Sequence, residues 1–218
     1  MDLLDNAIER SKRWMERSAA LIDGVDFTAS KRSRVAISLL HLSNEHHQGI
    51  HTLVQHGVIG SAFALLRPQF ESFIRGAWFD QCASDDEISG FLEGKRRPKL
   101  DLLIAALEGT PAYAGSVLSE IMSSAGANFH DFTHGGVTQV KARITATEIR
   151  QAYDPAHICG LLDASVAIAY MASLAISTAA GTTELAGKLR DEIDWIKASK
   201  LRDNGDSRAS PSNSPSPG

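Results

Sequence analysis

Arg67 and Glu71 stand four residues apart in Leu66-Arg67-Pro68-Gln69-Phe70-Glu71, and Arg75 follows four further on. At helical spacing the three share one face as a charged ladder. Their neighbours Phe63, Leu66, Phe70, Phe73, Ile74 and Trp78 mark much of the remaining surface for burial. A second polar intrusion is His130-Asp131-Phe132-Thr133-His134-Gly135-Gly136. Buried polar groups are costly unless they find partners, so the two segments are expected to meet in one buried polar site. There Arg67 or Glu71 would reach His134 and tune its proton affinity. A histidine held by a carboxylate, with an arginine nearby for anionic charge, makes a general acid/base and phosphate site. His134, Arg67 and Glu71 are therefore the candidate catalytic residues. The competing reading of Arg67/Glu71 is an internal ion pair that fixes helix register.

Other histidines are concentrated on one stretch: His41, His46, His47, His51 and His56. The pairs His41/Glu45 and His47/His51, four apart, have metal-binding spacing. The five spread around much of a helix, which predicts surface or interface histidines instead. His130 and His134 with Asp131 echo the His-Glu-x-x-His metallohydrolase helix. Aspartate is shorter than the glutamate base, no third ligand follows at a familiar spacing, and Gly135-Gly136 ends the helix at once. Metal-dependent hydrolysis is a distant third reading, and no metal or cofactor is expected. There is no Walker A loop, Gly-x-Gly-x-x-Gly, Gly-x-Ser-x-Gly or Cys-x-x-Cys, and no Glu-x-x-His repeat of a di-iron bundle.

The elements that must position these residues read as helices. Apolar spacing predicts a first helix over 2–22, stopped at Gly24, and a second from an N-cap at Thr28 to Gly57. A third runs from Ile59 to about Cys82, and Pro68 inside it should kink or split it. Ser84-Asp85-Asp86-Glu87 is a capping box for a short helix ending at Gly94. Pro98 at a first helical position opens another, followed by a helix from about Tyr113 to His134. Val137 to Ile144 suggests a loop or short extended piece, and Thr145-Ala146-Thr147-Glu148 a second capping box. Asp154-Pro155 launches a long Ala-rich helix to Ala180, and a last helix spans Thr183 to Leu201. The prediction is all-α: one bundle of about seven or eight helices over 1–201, then a disordered Ser/Pro-rich tail over 202–218.

With 43% hydrophobic residues the 218-residue chain can build one sizeable core. The net charge of -4 and pI near 6.0 make no overall electrostatic case for RNA or DNA, and the basic runs at 31–34 and 95–99 suggest solvated surface. Cys82 and Cys159 suit a reducing compartment and small buried positions. The acidic start Met1-Asp2-Leu3-Leu4-Asp5 lacks the basic and apolar regions of a signal peptide. Ile158 to Ala180, though apolar, contains Asp163 and many small residues, so a core helix is expected rather than a membrane span. The expected location is cytoplasmic.

Gln55-His56-Gly57, the run Ser61 to Glu71, Arg75-Gly76-Ala77-Trp78 and Thr133-His134-Gly135-Gly136-Val137-Thr138-Gln139-Val140 together resemble an uncharacterised bacterial family of helical proteins, a domain of unknown function. The resemblance spans His41 to Arg150 and implies a helical fold without an assigned activity. More loosely, the chain is similar to HEPN-type helical domains, many of which look like metal-independent ribonucleases of toxin and defence systems. Their arginine, four to six residues before a histidine, is matched by Arg34/His41 and Arg150/His157. Val35 stands where a polar residue is usual, Asp154-Pro155 interrupts the second match, and Asn128 replaces the arginine expected before His134. The first expectation is thus a structural or interaction role. The alternative is a HEPN-like ribonuclease with His134 as acid/base and Arg67 on phosphate. Such bundles pair through helix faces, so a homodimer is the default partner, and RNA enters only with the nuclease alternative.

Overall fold

A computed structural model describes residues 2–95, 98–123, 132, 134–144 and 147–208. The helices are α1 (Leu3–Ile22), α2 (Lys31–Gln55), α3 (Ile59–Gln81), α4 (Asp85–Leu92), α5 (Leu100–Glu108), α6 (117–123), α7 (Val137–Lys141), α8 (Pro155–Ala179) and α9 (Thr183–Arg208). A single 3-10 turn covers Pro111–Tyr113. Among the described residues there is no strand, only an isolated antiparallel bridge between Ile144 and Ile149. The protein is an all-α bundle.

Side chains that satisfy orphan backbone amides start the helices. Ser84 and Glu87 cap α4 reciprocally, and the Asp154 carboxylate accepts from the Ala156 amide ahead of Pro155 in α8. Ser30, rather than Thr28, caps α2: its hydroxyl accepts from the Ser33 amide, while the Ser33 hydroxyl donates to the Thr28 carbonyl at 2.8 Å. Pro98 lies two residues ahead of α5, whose N-cap is Lys99. Gly94 and Gly135 adopt φ of 77° and 70°, the left-handed conformation that ends a helix cheaply in glycine.

α3 is one helix through Pro68, so the proline does not split it. Both its flanks are clamped in the core, with Ala62, Phe70, Phe73 and Ile74 fully buried. α2 and α3 lie against each other, and α8 packs on α1, α2 and α3. At the α2/α3 crossing a Cβ on Gly76 would sit 2.7 Å from Leu40 Cγ and 3.0 Å from the Ala36 carbonyl, so only glycine permits the approach. One core, around Leu40, Phe70, Phe73, Ile74 and Leu107, joins α2, α3, α5 and α8. A second joins Ala7, Ile50, Ile59, Ala62 and Leu162. A third joins Trp14 of α1 to Val166 and Ala169 of α8 and Leu189 and Ile193 of α9.

α8 is long and apolar enough to cross a membrane, yet 56% of that apolar window is buried inside the bundle. It serves here as the central helix.

Several expectations need correction. Val137 to Lys141 is helical, not a loop, and no helix starts at Glu148; Thr145 and Ala146 lie outside the described residues. α9 continues to Arg208, into the segment expected to be a disordered tail. Its anchored portion explains this: Glu192 takes Arg13 and Arg17 of α1 at 2.9 and 3.0 Å, Arg13 lies over the Trp195 ring, and Lys200 reaches Asp163 of α8 at 2.7 Å. Once a helix is nucleated, further turns cost little. Arg32, expected to be solvated, bonds the Phe79 carbonyl and Asp85 and fastens α2 to α3 and α4. Cys82 and Cys159 are free and half-buried, with thiols pushed up chiefly by burial.

Candidate functional site

The α3 ladder forms as its spacing requires. Arg67 Nε donates to Glu71 Oε1 at 2.9 Å, and Arg75 lies 3.8 Å from the other carboxylate oxygen. The expected burial does not follow: the Arg67 and Glu71 side chains are 31% and 28% exposed. Within Arg67-Pro68-Gln69-Phe70-Glu71 the fully buried residues are Gln69 and Phe70, so the buried polar side chain is Gln69. The ladder turns one face outward, while Gln69 points into the bundle.

His134 sits exposed on the turn that Gly135 closes, just ahead of α7. His130, Asp131 and Thr133 lie outside the described residues. Among the described residues, aromatic and amide contacts join this segment to α3. Phe63, one turn before Arg67, stacks on Phe132 at 4.3 Å and on Tyr153 at 5.7 Å. The Gln139 amide nitrogen donates to the Gly60 and Phe132 carbonyls at 3.1 and 3.0 Å. Gln139 Oε1 accepts from the Tyr153 hydroxyl at 2.9 Å and from Arg143. A Cβ on Gly60 would come within 2.8 Å of the Tyr153 oxygen, so the α7 arm docks on bare backbone.

Above the Phe63 stack a cavity of about 570 Å³ opens between α3, α7 and the first turns of α8. Phe63, Leu66, Phe132 and Leu161 form its apolar wall, with Asp154 and His157 as polar groups. Such an enclosure, mostly apolar with few polar groups, is the ordinary form of a small-molecule site. Gln139, Tyr153 and Gly60 carried no role in the sequence; Gln139 was visible only as part of the Thr-His-Gly-Gly-Val-Thr-Gln-Val block.

A second polar arrangement is sealed in the core. Gln69 Nε2 donates to the Ser165 carbonyl at 2.8 Å, and the Ser165 hydroxyl donates to Gln69 Oε1 at 2.8 Å. Ser43 donates to the Gln69 carbonyl at 3.0 Å, and His47 Nδ1 meets Ser165 Oγ at 2.8 Å. His51 Nδ1 meets Ser11 Oγ at 3.1 Å. Of the α2 histidines expected at a surface or interface, His41 and His56 are exposed, whereas His47 and His51 are a correction, each only 2% exposed. Burial holds His47 down to about 4, and the nearby His51 adds to the effect, while the Ser11 backbone opposes it. Burial also lowers His51, with Lys12 adding to it, and lowers His46. Ser165 spends its proton on Gln69 and is fully buried, so its contact with His47 is structural rather than a nucleophile and its base.

Among the described residues no three His, Cys, Asp or Glu side chains gather as a metal site. Residues 40–194 match a family described as "Family of unknown function (DUF6988)", and the chain belongs to that family. Neither the curated proteins nor the solved structures yield a match.

Proposed function

We propose that this protein, a helical bundle of a family of unknown function, has a structural or interaction role. Its cavity over the Phe63 stack binds a small, largely apolar planar molecule. The observation that carries the reading is Phe63 held between Phe132 and Tyr153 on the cavity wall. A planar ligand extends such a stack, and offset aromatic pairs add about 0.5–1.5 kcal/mol beyond area burial. Asp154 and His157 supply orienting polar contacts. The partly exposed Arg67/Glu71/Arg75 ladder fits a role in holding the register of α3, because Arg67 Nε is already engaged by Glu71.

The test is a titration with indole followed by amide NMR, on wild type and Gly160→Leu. Gly160 lines the cavity, and a Cβ there meets nothing within 4 Å, so leucine fills the space without backbone conflict. Saturable shifts at Phe63, Phe132 and His157, weakened about tenfold or more in Gly160→Leu, support the reading; this is the loss expected when about 1.4 kcal/mol of contact is blocked. Absence of saturation, or equal binding by the variant, refutes it. Degraded total RNA in cells expressing wild type, with intact RNA for His134→Ala, would replace it with the ribonuclease alternative.

A further inference from the structure

A separate cavity of about 380 Å³ lies between the end of α3, the 3-10 turn, the start of α6, the second half of α8 and the first half of α9. It has room for one small molecule. Leu118, Met171 and Leu174 give it an apolar floor. Beside that floor the Ser177 and Thr178 hydroxyls donate to the Leu174 carbonyl at 2.7 and 3.1 Å, so their protons are already spent within α8.

Two opposite charges line the same cavity from different helices, Asp80 from α3 and Arg190 from α9. They form no ion pair with each other. Among the described residues the Asp80 side chain is met by the Gln81 amide alone, and the Arg190 guanidinium by no partner. Arg190 differs in this from Lys188, Glu192, Lys197 and Lys200 of the same helix, each of which is paired. Tyr113 also lines the cavity, and its phenol is pushed up to about 12, first by burial and then by the charge of Asp80. That influence sets the Asp80 carboxylate near the cavity wall and leaves Tyr113 a neutral hydroxyl. The cavity thus joins an apolar floor to one unspent cation and one unpaired anion, a pattern complementary to a molecule that carries both charges.

We propose that this cavity binds an apolar α-amino acid, with its ammonium on Asp80, its carboxylate on Arg190 and its side chain on Leu118, Met171 and Leu174. A ligand with a single charge would satisfy one of the two groups and desolvate the other without compensation, which is costly. The site is independent of the Phe63 cavity, and its outcome does not bear on that reading.

Leucine and its two singly charged relatives test it: 4-methylpentanoate, which lacks the ammonium, and 3-methylbutylamine, which lacks the carboxylate. Binding is followed by methyl NMR of Leu118 and Leu174. Leucine should bind saturably and about tenfold more tightly than either relative, as the loss of one charge-assisted hydrogen bond implies. Asp80→Asn should close the gap to 4-methylpentanoate and keep the gap to 3-methylbutylamine, and Arg190→Gln should do the reverse. Asp80 is partly exposed and Arg190 exposed, so both variants keep the core intact. No saturable binding of leucine, equal affinity for the three compounds, or gaps unmoved by the two substitutions would overturn the proposal.

Discussion

Removing His47 should flatten the dependence of stability on pH between about pH 7.5 and about pH 5. The imidazole is buried beside Ser165 and held from 6.5 down to about 4. Through that interval the unfolded chain takes up a proton that the folded chain refuses. The contribution of neutral His47 is therefore fully present above about pH 6.5 and lost progressively as pH falls toward about 4. A shift of this size corresponds to about 3 kcal/mol in all, of which about 2 kcal/mol is lost by about pH 5. No discount for solvent screening applies, because the ring is 2% exposed. Urea denaturation followed by circular dichroism, at both pH values, gives the slope for wild type and for His47→Gln. Glutamine does not titrate, and the carboxylates and remaining histidines contribute alike to both proteins. The variant should lose about 2 kcal/mol less than wild type over this range, whatever its stability at neutral pH. Equal slopes would refute the reasoning, as would direct NMR titration of the wild-type His47 ring with a midpoint near 6.5.

Gly76→Ala should destabilise despite alanine's higher helix propensity. The new Cβ would meet Leu40 Cγ at 2.7 Å and the Ala36 carbonyl at 3.0 Å. Overpacking of about 1–3 kcal/mol outweighs a propensity gain of about 1 kcal/mol. Thermal unfolding should show a lowered midpoint, and a raised one would contradict the close α2/α3 approach. Glu71→Gln breaks the partly exposed ion pairs with Arg67 and Arg75 and should cost about 1 kcal/mol or less. A loss of several kcal/mol in urea titration would restore the idea of a buried, core-organising cluster.

Elements governed by neighbouring residues were legible in the sequence. Ser84/Glu87 and Asp154-Pro155 announce their helices because capping involves groups two or three residues apart. At the start of α2 the expected cap, Thr28, was two residues early: Ser30 caps the helix, and the Ser33 hydroxyl that meets Ser30 Oγ also donates to the Thr28 carbonyl. The α3 ladder was also legible, since four-residue spacing fixes it. Whether that ladder faced inward or outward was not. Gln69 and Glu71 lie on the same helix, and only packing against α8 determined that Gln69 took the interior.

The sequence by itself determined an all-α protein, the helix starts at Ser84 and Asp154, the stop at Gly94, and the Arg67–Glu71 pairing. Tertiary structure decided what is buried and what meets. His47 bonds a serine 118 residues away, and Gln69 bonds the same residue across 96. It also set Phe63 between Phe132 and Tyr153 and docked α7 on Gly60. The physical reason is range: capping and turn energies depend on a few consecutive residues. Burial, and with it the protonation of His47 and the exposure of His134, depends on which distant helix covers each face.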